Sequence, residues 1–204
     1  MPTTGRFIVI EGGDGTGKSR LAAAIAAALR SNGRTVVETR EPGGTPLGER
    51  IREAILSEAS TATTELLLFE AARSHLIEQV IRPALDRGDD VICDRFTGST
   101  VAYQCYGRAL DRRIVDSLNA VATGGVSAAV TILLDLPYGE AMKRRAGAGG
   151  ANRFDNEARD FHERVRAGFL ELAAAEGWTV IDASMPSEAV ERAALASIAN
   201  HAAG

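Results

Sequence analysis

Between the apolar run Phe7-Ile8-Val9-Ile10 and the helix-forming stretch Leu21-Ala-Ala-Ala-Ile25-Ala-Ala-Ala-Leu29 lies Gly12-Gly13-Asp14-Gly15-Thr16-Gly17-Lys18-Ser19, which satisfies G-x-x-x-x-G-K-[ST]. A buried strand, a glycine-rich turn and a helix in that order constrain the fold more than any other feature of the chain. The residue types carry a chemistry as well. Glycines let backbone N–H groups turn inward around phosphate oxygens, and the helix that follows points its positive end at the same anion. Lys18 is suited to reach the outer phosphates and Ser19 to hold Mg²⁺ through its hydroxyl. With Arg20, residues 12–19 form the expected ATP-binding set. The motif implies a nucleoside triphosphate ligand.

The remaining chain alternates short apolar runs with helical periodicity. Strands are expected at 6–11, 34–39, 90–94, 129–136 and 178–182. Helical patterns fill 18–31, 46–57, 62–86, 99–107, 111–123, 138–145, 157–176 and 187–201. Such alternation predicts an α/β fold of the P-loop NTPase type, a five-stranded parallel sheet with helices on both faces. Gly33, Gly88 and Gly177 each stand where a helix should end before a strand. Pro83 is expected to kink the long segment 62–86 rather than end it, because Ala84-Leu85 continues the pattern. There is no internal repeat and no linker. The 204 residues are therefore expected to form one domain. One compositional break, Ala146-Gly-Ala-Gly-Gly-Ala151, is flanked by Lys143-Arg144-Arg145 and Arg153 and predicts a mobile basic lid around 144–153.

A formal charge of −4 argues against nucleic acid as a partner. No apolar run approaches the roughly 18–20 residues of a membrane span, and the first strand is expected too near Met1 to leave room for a secretory leader. Cys93 and Cys105 are too few for a disulfide framework and lack metal-ligand spacing, so reduced thiols and a cytoplasmic location are expected. Cys93, within an apolar run, reads as a core filler.

The phosphate-binding motif alone leaves open a GTPase, a motor, a regulatory ATPase and a small kinase. The guanine-reading N-K-x-D is missing from the late strand, which ends Leu134-Asp135-Leu136-Pro137. Small kinases need an acceptor site and arginines that neutralise the transferring group in a water-poor cleft. Arg40, Arg52, Arg73 and Arg95 lie at or just after expected strand ends or on adjoining helices, and strand ends of a parallel sheet gather at its carboxyl edge.

Taken in order, several motifs resemble those of thymidylate kinases: Glu11 through Ser19, Thr39-Arg-Glu-Pro-Gly-Gly-Thr45, Gly48-Glu-Arg-Ile-Arg52, Leu66-Leu-Leu-Phe69 with Arg73, Asp94-Arg-Phe-Thr-Gly-Ser-Thr100 with Ala102-Tyr-Gln104, Asn152-Arg-Phe-Asp155 and Phe161-His-Glu-Arg-Val-Arg166. The resemblance spans essentially the whole chain. It implies transfer of the γ-phosphoryl group of ATP to dTMP, with Mg²⁺, in a homodimer joined through long helices. It also implies roles. Phe69 stacks on thymine, Arg73 donates to the base carbonyl, and Gln104 pairs with the amide edge beside Thr100. Tyr103 crowds the place of a ribose 2′-OH, and Asp14 accepts from the 3′-OH. Arg52 and Arg95 grip the acceptor phosphate. Glu41 and Asp94 orient these cations and the metal shell, Asp94 acting through water.

Gly15 occupies a position where some members of that family carry an arginine. In such a chain the lid is expected to supply the missing cation, from Arg144, Arg145 and Arg153. Phe96 replaces a commoner tyrosine, Asn152 a frequent aspartate, and Ser127-Ala-Ala129 lacks the usual Pro-Asp. A phosphate monoester is largely ionised at neutral pH, its second pKa being about 6, so no strong general base is required. The rival readings are a kinase for another deoxynucleotide or a nucleoside, and a regulatory ATPase that has no use for the Phe69–Arg73–Gln104 pocket.

Overall fold

A computed structural model describes residues 5–148, 154 and 157–201. Its core is a five-stranded sheet in the order β2-β3-β1-β4-β5, with every neighbouring pair parallel. The strands are β1 (Phe7–Gly12), β2 (Val36–Arg40), β3 (Asp90–Asp94), β4 (Val130–Asp135) and β5 (Thr179–Asp182). All five fall where expected, with no end displaced by more than two residues. β1 is buried along its whole length, which is why it reads as an unbroken apolar run instead of an alternating one. Ile8 and Ile10 point into a layer formed with Leu21, Ile25 and Ile198; Phe7 and Val9 point to the opposite layer, against Leu76 and Ile81.

The helices are α1 (Lys18–Ser31), α2 (Pro46–Ser57), α3 (Ala62–Leu76), α4 (Arg82–Asp86), α5 (Thr97–Thr100), α6 (Arg112–Thr123), α7 (Tyr138–Ala148), α8 (Arg159–Glu176) and α9 (Ser187–His201). Their starts are chemically marked. Thr45 accepts from the Gly48 N–H at 2.9 Å and Pro46 follows it, while Thr61 caps α3 through the Thr64 N–H. Gly33, Gly88 and Gly177 do follow helix ends, all with left-handed φ.

Segment 62–86 is continuous but not uniform. A widened turn, Ile77–Ile81, joins α3 to α4 just before Pro83. Proline lacks the N–H for an i→i−4 bond and its ring crowds the carbonyl of Gln79, so a wider turn absorbs the expected kink. A second widened segment, Val101–Gly107, continues α5 and carries Tyr103 and Gln104. Neither i→i+5 segment has a signature in the sequence apart from Pro83. Part of the expected lid, 149–153, lies outside the described residues; its first turn belongs to α7.

Candidate active site

β1 ends in the glycine-rich turn at the carboxyl edge of the sheet. Lys18 is buried and donates to the Gly13 carbonyl at 2.8 Å, so its side chain curls over the loop it follows. Burial and the nearby Arg95 push the Lys18 ammonium down to about 8, against the pull of Asp94, Asp14 and Glu11. The Ser19 hydroxyl donates to Asp94 Oδ2 at 2.5 Å. These are oxygen donors at an open mouth that also holds Lys18, Arg95 and Arg145. Among the described residues no three His, Cys, Asp or Glu side chains converge. One hydroxyl and one carboxylate fit Mg²⁺, which prefers to keep waters and phosphate oxygens over an all-protein cage.

Gly15 has φ +79°, and a Cβ there would lie 2.5 Å from the Ala141 carbonyl oxygen. The turn therefore touches the backbone of α7 at the position where some family members place an arginine. That contact requires glycine on two counts, conformation and space. α7 then divides its arginines. Arg145 faces the phosphate-loop mouth, close enough to bias Asp14, whereas Arg144 donates to the Ala183 carbonyl at 2.9 Å and borders an adjoining groove that reaches Met185 and shares Gly15, Gly17 and Arg20 with that mouth. Asn152, Arg153 and Asp155 lie outside the described residues.

Beside the loop, the strand-end arginines form a second cluster. Arg95 has φ +75°, an unusual backbone for a non-glycine residue, and its N–H donates to the Ile10 carbonyl at 2.9 Å. It donates to the Gly12 carbonyl at 2.9 Å, to Ser99 Oγ at 3.1 Å and to Asp14 Oδ1 at 2.7 Å, and lies 5.2 Å from the centre of the Tyr103 ring. Burial pushes the Asp14 carboxyl up, but Arg95, Lys18 and Arg145 outweigh it and hold the group at about 2. Tyr103 donates to Asp14 Oδ2, and burial raises its phenol. Phe96 packs edge-on against Phe7, ring centres 4.9 Å apart.

A pocket of about 580 Å³, counting its open mouth, opens on the far side of Arg95. Phe69, Arg73, Thr100, Tyr103 and Gln104 all line it, together with Leu56 and Phe154. It meets the phosphate-loop depression at Asp14, Glu41, Arg52, Leu56 and Arg95, which border both. Arg52 donates to the Pro42 carbonyl at 3.0 Å, and burial lowers its pKa. Arg73 is 1% exposed and its N–H groups point at Glu41, Glu70, Asn119 and Thr100. Its Nε, both Nη1 hydrogens and one on Nη2 are engaged in hydrogen bonds, and Nη2 also lies 2.7 Å from Glu41 Oε2. Two carboxylates face this one cation, and burial pushes the Glu41 carboxyl up to about 7 even against Arg73. Glu41 Oε1 is buried with no hydrogen-bond partner among the described residues, which leaves an oxygen to spare at the junction of the two depressions.

The motif reading missed the groups that hold the arginines. Glu11, fully buried, accepts from the Phe96 and Ser99 N–H groups and from the Ser99 hydroxyl, and so shapes the loop that carries Arg95. Glu65 and Glu70 are buried on α3, and Asn119 reaches in from α6. A signal was available, since a glutamate ending an all-apolar strand, or standing in the inward stripe of a helix, is costly unless partnered.

The comparisons agree with this geometry. Residues 10–194 match the family model for thymidylate kinase. The chain is 47% identical over 203 residues to a thymidylate kinase of Bdellovibrio bacteriovorus, covering 95% of each. It is 44% identical over 191 residues to one of Deinococcus radiodurans, covering 92% of this chain and 93% of the other. The crystal structure of thymidylate kinase from Ehrlichia chaffeensis superposes with a TM-score of 0.71 at 33% identity, over 88% of this chain and 86% of that one. The chain belongs to the thymidylate kinase family.

Proposed function

We infer that this chain is a dTMP kinase, transferring the γ-phosphoryl group of ATP to dTMP to give dTDP and ADP. The observation that carries the reading is the junction of two depressions, one on a phosphate loop and one lined by an aromatic ring and an amide, at Asp14, Arg52 and Arg95. A donor phosphate on the loop and an acceptor phosphate in the pocket can meet there.

In this reading Phe69 offers its face to thymine, while Gln104 and Arg73 meet the base edge. Tyr103 excludes a 2′-OH and Asp14 accepts from the 3′-OH. Arg52 and Arg95 hold the acceptor phosphate with charge-assisted bonds. Its oxygen is already ionised, so Asp94 serves as an organiser of Ser19 and the cations instead of as a base. Mg²⁺, when bound, neutralises charge on the donor phosphates; Ser19 directly and Asp94 through water are the residues suited to hold it. Lys18 contributes a charge at the same oxygens. Arg145, with Arg153, supplies the cation absent at Gly15, and Arg144 borders the donor base. Closure of a lid over 144–153 excludes water, so that phosphate passes to dTMP and not to solvent.

A homodimer is proposed through the face of α3 and α6, where Leu67, Ile114 and Val121 stand exposed. A cytoplasmic location is proposed as well, consistent with two unpaired cysteines. No helix among the described residues is long and apolar enough to cross a membrane. The test of the activity is a coupled ADP-release assay over a panel of nucleoside monophosphates. Release should depend on dTMP; equal turnover with no acceptor present points to a regulatory ATPase instead.

A further inference from the structure

Gln104 can read a pyrimidine only if its amide has a defined sense, because its oxygen accepts and its nitrogen donates. That sense is set from behind. Gln104 is 1% exposed, and its Nε2 donates to Glu65 Oε1 at 2.7 Å. Glu65, also 1% exposed, pairs on its other side with Arg108 at 3.4 Å, and Arg108 in turn pairs with Glu157 at 2.6 Å. A carboxylate only accepts, so the amide nitrogen must face Glu65 and the oxygen must face the pocket.

We propose that Glu65 is a positioning residue for base selection: by fixing the Gln104 amide with its oxygen toward the ligand, it admits pyrimidines that present an N3–H and rejects cytosine. Thymine and uracil offer a donor at N3. Cytosine offers a lone pair there, which would face the amide oxygen with no hydrogen between them. The alternative pose, with the amide turned over, would aim its oxygen at Glu65 and leave two buried acceptors in contact. Such a mismatch is far more costly than a missing methyl group. The proposal rests on the dTMP kinase reading, and within it assigns discrimination to a residue that never touches the substrate.

Glu65→Gln keeps the shape but presents either an N–H or an oxygen to Gln104, so the Gln104 amide becomes free to turn. The ratio of kcat/KM for dTMP over dCMP should fall on the order of tenfold or more. The ratio for dTMP over dUMP should stay within about twofold, since both bases present the same N3–H edge. An unchanged dTMP/dCMP ratio, or an equal fall in both ratios, overturns the proposal, because a merely structural glutamate would loosen the pocket for every base alike. If the wild type fails to phosphorylate dTMP at all, the functional reading fails first and separately. A second measurement covers a Glu65→Gln chain that does not fold. In glutamine-¹⁵N-labelled wild type, the Gln104 NH₂ signal, identified by its loss in Gln104→Ala, should keep its shift when dTMP binds. A large shift would place the NH₂ against the base and overturn the assignment.

Discussion

Around the acceptor pocket most of the charges are buried and paired, whereas along the phosphate loop and α7 most of them face solvent. Arg73 and Arg95 are enclosed by Glu41, Glu70 and Asp14, and behind Gln104 stands the Glu65–Arg108–Glu157 chain. On the donor side Ser19, Arg20 and Arg144 are exposed, and buried Lys18 donates to a backbone carbonyl. The contrast teaches where preorganisation lies. Arg73 and Arg95 are already fixed by carboxylates and Arg52 by the Pro42 carbonyl, while Arg20 and Arg144 on the donor side lie exposed.

The largest effect should come from the donor side without any cost to the fold. Lys18→Ala is expected to lower kcat on the order of 10³ or more while leaving the thermal melt in place, because it removes a charge at the start of α1 and no apolar core volume. Near-wild-type turnover, measured in single-turnover mode, would break the contrast at its centre.

The lid arginines should come next. Arg145→Ala or Arg153→Ala is expected to lower kcat by about 10²–10⁴ with little change in KM, as for a cation acting mainly in the transition state. Arg144→Ala should instead raise KM for ATP, since its guanidinium borders the adjoining groove near Ala183. Identical kinetic signatures would erase the division made by α7.

On the acceptor side, function and stability should fall together. Arg73→Ala leaves two buried carboxylates unpaired, a loss of about 3–5 kcal/mol, and should raise KM for dTMP more than KM for ATP. A mutant that melts like the wild type would show that the buried network does not stabilise the pocket.

The smallest effect is a pH signature of the same network. Burial raises Glu41 to about 7 from an ordinary 4.5, so the native chain holds a proton that the unfolded chain has lost. Stability from this group is present below pH 4.5 and is lost as pH rises through about 7. Relative to Glu41→Gln, the wild type should therefore lose about 2 kcal/mol between roughly pH 5 and pH 7 in urea titrations. Parallel stability curves for the two proteins would sharpen the contrast in the other direction, toward a fully charged pocket floor.

Much of this was legible before any coordinates. Short apolar runs such as Val91-Ile-Cys93 announced a sheet covered on both faces, and Gly12 through Ser19 placed a phosphate at its edge. Phe69, Arg73, Thr100, Tyr103 and Gln104 do line one pocket. The strand order was not legible, because pairing depends on crossover connections and not on any residue within a strand. The separate placements of Arg144 and Arg145 were equally hidden, since adjacent helical positions point about 100° apart and their targets, Ala183 and the loop mouth, are distant in sequence. Glu11, Glu65 and Glu70 were visible as misfits in apolar surroundings, but only the fold names the cations and amides they hold.

The claim that the chain's own carboxylates arrange the acceptor site has one direct test, calorimetric titration of dTMP with and without a non-hydrolysable ATP analogue. The account predicts stoichiometric binding of dTMP to the nucleotide-free protein, with an affinity changed no more than a few-fold by the analogue. Binding of dTMP only after the analogue is present would contradict it, because the buried arginines would then be arranged by the ligands and not by Glu41, Glu70 and Asp14.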